Sequence, residues 1–397
     1  MNVAGLLYTL GDPHLLQAVK GGVNVMVNVF DVAQTLIQHI QTRFKDDVAL
    51  VAYYGSYAQG TATSRSDLDF FFIPATPHGF GAGLSFLCGG ISFDFWPIGW
   101  ERAERMAAFE ESNTSIIADC KLLYVRSDAD LARFEHLRKR ISETGKPSLA
   151  LLEKTENHLR DAYIHLYQMS LLHTHLIRDL TLIRTEAHGV LTHVLYGLAL
   201  LNGTYFSKGW GKNAEQINQF QLKPAKLNEQ MHTIKQASES TKIKEACEQL
   251  VQDMLELLNA QKALYAAGPD YEGRMKGFYE EIRGQFDKLL TACEANDYTT
   301  AFFWSIGAQD EIARFLYFTK NGFWPSAVLA TADYMHEYIA AGLPDLPKLL
   351  APDRLAELRD MIQLLDERLR SLLQSHAVPI TEFETPQQLK QFLGRRV

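Results

Sequence analysis

The chain has 397 residues, of which 47% are hydrophobic and 22% charged, enough apolar material for buried cores in two domains. Lys and Arg number 39 against 47 Asp and Glu, a formal net charge of -8. That balance excludes a protein that coats nucleic acid or an anionic membrane, since both demand a basic surface.

The four cysteines, Cys88, Cys120, Cys247 and Cys293, form no CxxC pair, so neither a structural zinc site nor a disulfide framework is expected. At the N-terminus no basic segment leads into an apolar core with a cleavage site, so no secretory signal is expected. The most apolar early run, residues 23–37, holds Asn24, Asn28 and Asp31 and is too short to cross a bilayer. The expectation is a soluble, cytoplasmic protein.

In residues 25–43 the apolar positions Val25, Val29, Val32, Ile37 and Ile40 recur at helical spacing. Residues 48–54 (VALVAYY) read as a strand ending at Gly55-Ser56, and residues 67–73 (DLDFFFI) as a second, closed by Pro74. Residues 77–83 carry Gly79, Gly81 and Gly83 at alternate positions and read as a mobile loop. Residues 84–87 and 91–98 flank the turn Cys88-Gly89-Gly90 and read as two more strands. After about Arg126 the pattern changes to long amphipathic helices, with breaks at Gly145-Lys146-Pro147, Asn202-Gly203 and Gly268-Pro269. The predicted fold class is α+β: a small mixed-sheet domain over residues 1–130, followed by a larger all-helical domain over residues 131–397.

The stretch that carries chemistry is GSYAQGTATSRSDLDFFF, from Gly55 to Phe72. A Gly-Ser pair at a strand end permits close backbone approach and offers amides and a hydroxyl to an anion. Asp67 and Asp69 lie two apart on the predicted strand, so alternation puts both carboxylates on one face and Leu68, Phe70 and Phe72 on the other. Side-by-side carboxylates are costly unless a cation compensates them. Hard oxygen ligands with no His or Cys nearby favour Mg²⁺ over zinc. Asp94, between Phe93 and Phe95 in ISFDFWPI, projects opposite to both aromatics and lacks a packing reason to be there. If its strand pairs beside residues 67–73, three acids meet at one end of the Gly55-Ser56 turn. Each feature alone has a bland reading: a Ser-capped turn, a solvated edge strand, a satisfied acid. The three together outweigh them.

This combination resembles the nucleotidyltransferase superfamily that includes the DNA polymerase beta fold, whose pattern is a Gly-Ser turn, a paired-acid strand and a later acid on a neighbouring strand. The resemblance covers residues 36–99, with Gly60 and Ser66 also in familiar places. It implies catalytic and metal-ligating roles for Asp67, Asp69 and Asp94, two Mg²⁺ ions, and ATP or another nucleoside triphosphate with its phosphates near Gly55 and Ser56. An acceptor hydroxyl would attack the α-phosphate in line, and pyrophosphate would leave. Asp94 either completes the metal site or accepts the hydroxyl proton. Arg65 is a further nucleotide-binding candidate, set against a plain surface-loop arginine.

In the helical region, NGTYFSKGWGK (residues 202–212) interleaves Tyr205, Phe206 and Trp210 with Lys208 and Lys212. It resembles a stretch in the helical domains of some small-molecule nucleotidyltransferases. Tyr205 is thereby a stacking candidate and Lys208 a phosphate-binding one, set against a packed interhelical loop. Glu186 is a general-base candidate. His158, His165, His173, His175, His188 and His193 contain no HExxH pair and are expected to be core or surface residues rather than ligands.

A catalytic domain joined to helices resembles antibiotic nucleotidyltransferases. That implies transfer of AMP from ATP to a hydroxyl of a small acceptor, such as an aminoglycoside- or lincosamide-like antibiotic, bound between domains or between the subunits of a homodimer. No extended nucleic acid and no membrane are expected as partners. One alternative is AMP transfer to a protein hydroxyl, as in toxin–antitoxin systems, whose catalytic chains are much shorter. Another is a non-catalytic nucleotide-sensing module, against which the three intact acids count.

Overall fold

The structure is a computed structural model, describing residues 27–63, 66–174, 179–209, 211–326, 328 and 331–395. The chain divides into two compact units, Met1–Leu258 and Asn259–Val397.

The first unit is built on a five-stranded sheet of order β3-β4-β2-β1-β5. Its strands are β1 (Val48–Tyr54), β2 (Asp69–Pro74), β3 (Leu84–Cys88), β4 (Ile91–Pro97) and β5 (Lys121–Val125). β2 runs antiparallel to β1 and parallel to β4, with Phe70 opposite Phe95. The continuous apolar run of β2 follows from burial on both faces. Phe70 and Phe72 join Phe93 and Phe95 under α1 (Val29–Arg43), which presents Val32, Leu36, Ile37 and Ile40 to them. Phe71 and Ile73 face the other way, into a core with Ala103, Met106, Phe134 and Leu137. Those residues come from α3 (Trp100–Ala107) and α5 (Asp128–Ser142); the short helices α2 (Gly55–Ala58) and α4 (Thr114–Ala118) flank them in the chain.

A helical part follows in the same unit: α6 (Leu149–Thr174), α7 (Leu180–Leu201), α8 (Ala214–Gln219), α9 (Leu227–Gln236) and α10 (Ser240–Ala263), the last up to the unit's end at Leu258. Leu151 of α6 and Leu200 of α7 enter the core behind Phe71. This ties the helical hairpin to the sheet at the end where β1 turns into α2.

The second unit holds α11 (Tyr271–Arg274), α12 (Phe278–Glu294), α13 (Tyr298–Asn321), α14 (Thr331–Ala340), α15 (Leu355–Ser375) and α16 (Pro386–Leu393). Its own core includes Phe286, Ile312, Tyr338, Ile362 and Leu365. Between α11 and α12 the helical pattern is interrupted at Gly277, whose φ of 82° leaves the helical region. Among the described residues no helix is long and apolar enough to cross a membrane.

Three local expectations change. Residues 77–83 are not a mobile loop: Pro77–Ala82 forms a 3-10 helix tied to Asp47. Ala75 N–H donates to the Asp47 carbonyl, and the Asp47 carboxylate takes the Thr76 hydroxyl and His78 Nδ1. Gly79 presses so closely on that carbonyl that a Cβ would overlap it. The strand β2 begins at Asp69, leaving Asp67 in the preceding loop. Finally β5, unanticipated, closes the sheet beside β1.

Candidate active site

Gly55 sits at the end of β1 with φ of 72°, a conformation that favours glycine because other side chains crowd the backbone there. A second requirement acts on the same atom: a Cβ on Gly55 would overlap the Asp69 carboxylate. The turn therefore lies directly against Asp69, with Ser56 next in the chain and Gly60, at φ of 68°, closing the short helix. The loop leading to Asp67 is fastened by Thr63, whose N–H donates to Ser66 Oγ at 2.9 Å.

Strand parity places Asp69 on the face of Phe71, and the parallel pairing of Phe71 with Trp96 sets Asp94 on that same face. Burial, then the Asp67 and Asp94 carboxylates nearby, push Asp69 up to about 6. Tyr54, the last residue of β1, is pushed up to about 12 by burial and by the same three acids, while its hydroxyl accepts from Trp96 Nε1 at 3.1 Å. The three carboxylates thus share one electrostatic neighbourhood.

They do not close on one point: among the described residues no group of three or more His, Cys, Asp or Glu is set to hold a metal ion. Like charges spread when nothing draws them in, and Asp94 accepts from Ser85 Oγ at 2.7 Å across the β3–β4 hairpin. The residues nonetheless fit a hard divalent cation. Asp69 is a half-buried acid crowded by two others, and among the described residues no cation offsets it. The glycine in front of it leaves the carboxylate face open on the turn side.

Of the other expected residues, Arg65 and Trp210 lie outside the described residues, as do Val25 and His175. Lys208 lines a cavity of about 230 Å³ that reaches back to Gly55 and Tyr54. Tyr205 is not free to stack on a ligand: its hydroxyl donates to Asp119 Oδ1 at 2.8 Å and its ring lies against Phe109. Glu186 is held by His165 Nδ1 at 2.8 Å, and the His158 and His193 Nδ1 atoms approach to 3.3 Å between α6 and α7. His165 and His193 also lie ring to ring, with centroids 5.6 Å apart.

Sequence reasoning singled out Phe206 but missed Gln59, Ser115, Asp119, Tyr196 and Asn213 of the same cavity wall. These positions are scattered along the chain and adjoin only once α4, α7 and the segment before α8 are folded. Gln59 fastens the arrangement by donating from Nε2 to the Ser207 carbonyl.

Comparison with known proteins matches residues 34–105 to a nucleotidyltransferase domain and residues 131–263 to a KNTase C-terminal domain. Neither match extends past residue 263, so most of the second unit lies beyond both. No curated protein matches the chain. Among solved structures, a nucleotidyltransferase-like protein from Exiguobacterium sibiricum 255-15 aligns at 9% identity over 58% of this chain and 76% of that one, with a TM-score of 0.37. That likeness is remote; the assignment rests on the two domain matches.

Proposed function

Since the chain belongs to the nucleotidyltransferase superfamily, with a nucleotidyltransferase domain followed by a helical one, we propose that it transfers AMP from ATP to a hydroxyl of a small molecule, releasing pyrophosphate. The observation that carries the reading is the contact of the Gly55 turn with Asp69, in the electrostatic company of Asp67 and Asp94. Gly55 and Ser56 would take the phosphates on their backbone and hydroxyl. Lys208, and Arg65 from the loop before Asp67, would add positive charge to them. Asp67 and Asp69 would hold a divalent cation, with Asp94 completing the set or receiving the acceptor's proton. Bound there, Mg²⁺ supplies polarisation of the α-phosphate and neutralisation of the leaving pyrophosphate.

The helical part from 131 onward, apart from the residues that line the cavity beside Gly55, would bind the acceptor. The KNTase C-terminal match is of the kanamycin nucleotidyltransferase kind, which supports an antibiotic-like acceptor. The acidic net charge of -8 suits a cationic one.

The test is pyrophosphate release from ATP, GTP, CTP and UTP with Mg²⁺ and a panel of hydroxylated antibiotics. We expect release that needs acceptor, stops on chelation and returns with added Mg²⁺. Asp69→Asn is expected to cut turnover by roughly 10³-fold or more. Release unaffected by chelation or by Asp69→Asn, or absent with every acceptor and every nucleotide, rejects the proposal.

A further inference from the structure

The cavity beside Gly55 is lined by two side chains with buried polar atoms that have no hydrogen-bond partner among the described residues. Asn213 is 3% exposed, yet among the described residues neither its Oδ1 nor its Nδ2 has a hydrogen-bond partner. It precedes α8 at the capping position, but its side chain makes no capping hydrogen bond. The Asp119 carboxylate accepts at Oδ1 from the Tyr205 hydroxyl, while among the described residues its buried Oδ2 has no hydrogen-bond partner. A buried polar group without a partner costs stability, so two in one cavity need a reason. Both line the same space as Tyr196 and Phe206, whose ring centroids lie 6.3 Å apart.

We propose that this cavity receives the nucleobase of the nucleoside triphosphate, and that Asn213 and Asp119 select a base bearing an exocyclic amine. The inference rests on the nucleotidyl-transfer reading above and adds to it the nucleotide specificity. None of Asp67, Asp69 or Asp94 lines the cavity, whereas Tyr54 and Gly55 do. It adjoins the phosphate-facing turn, on a wall to which none of the three acids contributes. The group joined to the α-phosphate on that side is the nucleoside.

The chemistry of the two orphans narrows the base. An Asn amide presents one donor face and one acceptor face side by side, which complements an amine next to a ring nitrogen in adenine or cytosine. Guanine matches it through O6 and N1–H. Asp119 Oδ2 is an acceptor, so it needs a further N–H from the base. Adenine, cytosine and guanine carry an amine to provide one. Uracil has a single ring N–H, which Asn213 would occupy, and leaves a carbonyl against the carboxylate. Tyr196 and Phe206 supply aromatic surface of the kind on which bases stack.

The experiment is calorimetric binding of ATP, CTP, GTP, UTP and inorganic tripolyphosphate, each with Mg²⁺, to the full chain and to Asn213→Ala and Asp119→Asn. The amine-bearing nucleotides are expected to bind about tenfold or more tighter than tripolyphosphate, with UTP the weakest nucleotide. Asn213→Ala should remove that advantage while the tripolyphosphate Kd stays unchanged. Its thermal midpoint should hold or rise, because a buried amide without a partner has been deleted; a loss of discrimination in a folded variant is thereby separated from misfolding. Asp119→Asn, of the same shape, should narrow the gap between UTP and the other three.

Four nucleotides binding no better than tripolyphosphate would overturn the base assignment and leave the transfer reading standing. Unchanged discrimination in Asn213→Ala would do the same, as would a change confined to the KM of the acceptor, which would give the cavity to the acceptor. Failure of the wild-type chain to bind tripolyphosphate or any nucleotide overturns both.

Discussion

Gly55 carries two constraints on one hydrogen atom. Its φ of 72° disfavours any side chain, and the space a Cβ would fill is held by the Asp69 carboxylate. Gly55→Ala must therefore strain the turn, at roughly 1–3 kcal/mol, and push the carboxylate from its place. Displacements on that scale cost catalysis heavily, so Mg²⁺-dependent pyrophosphate release should fall on the order of 10²-fold. Circular dichroism should show a folded protein with a lowered melting point. Near-normal turnover in Gly55→Ala would mean that the close contact plays no part in the chemistry. The Gly-Ser turn and the three acids stood out as candidates in the sequence because each breaks a pattern: glycine ending an apolar strand, acids in or just before apolar strands. Asp119 and Asn213 break none, since one polar residue near a helix end is unremarkable until distant segments bury it beside another.

The α6–α7 hairpin packs a histidine into its seam. Burial, then His193 beside it, push His158 down to about 4, with Asp161 opposing. His193 is lowered as well, chiefly by burial, and carries Asp161 at 3.9 Å. The unfolded chain protonates histidine near pH 6.5, so the folded value lies below the unfolded one. Stability is then complete above about pH 6.5 and is lost progressively as the pH falls toward 4, by up to about 3 kcal/mol from His158. Urea denaturation at pH 7.5 and pH 5 should reveal the slope, and His158→Gln should flatten part of it; an equal slope in the variant would place its origin elsewhere. The long helices were readable from their periodicity because amphipathic spacing persists over many turns. β5 was not: Lys121–Val125 is a five-residue edge strand whose membership depends on pairing with β1 rather than on its own pattern. Likewise Pro77–Ala82 read as mobile from its glycines, yet Gly79 is there to let the chain pass close to the Asp47 carbonyl.

On the scale of the molecule, the division at Leu258 and Asn259 falls inside the long helical region rather than at the change from sheet to helix. The composition shift near residue 126 marks where strands end; it does not mark where a core ends, because Leu151 and Leu200 complete the core behind the sheet. The second unit has a separate core in which Leu365 is fully buried. Calorimetry should accordingly resolve two unfolding transitions, each belonging to one core. Leu365→Ala should weaken the unit that holds it by about 2–5 kcal/mol and leave the other transition in place. A single transition that moves as a whole would show that the two cores unfold as one.

The two parts of the candidate site draw on different stretches of chain. The acids come from the loop before β2, from the start of β2 and from its neighbour β4, whereas part of the cavity wall comes from Tyr196 and from residues 206–209 and 213. Such a division makes the protein evolvable in one respect and rigid in another. A mutant library confined to Phe206, Ser207, Gly209 and Asn213, with Lys208 kept, samples new ligand preferences without changing the three acids, whereas changes in β2 fall on a strand buried on both faces.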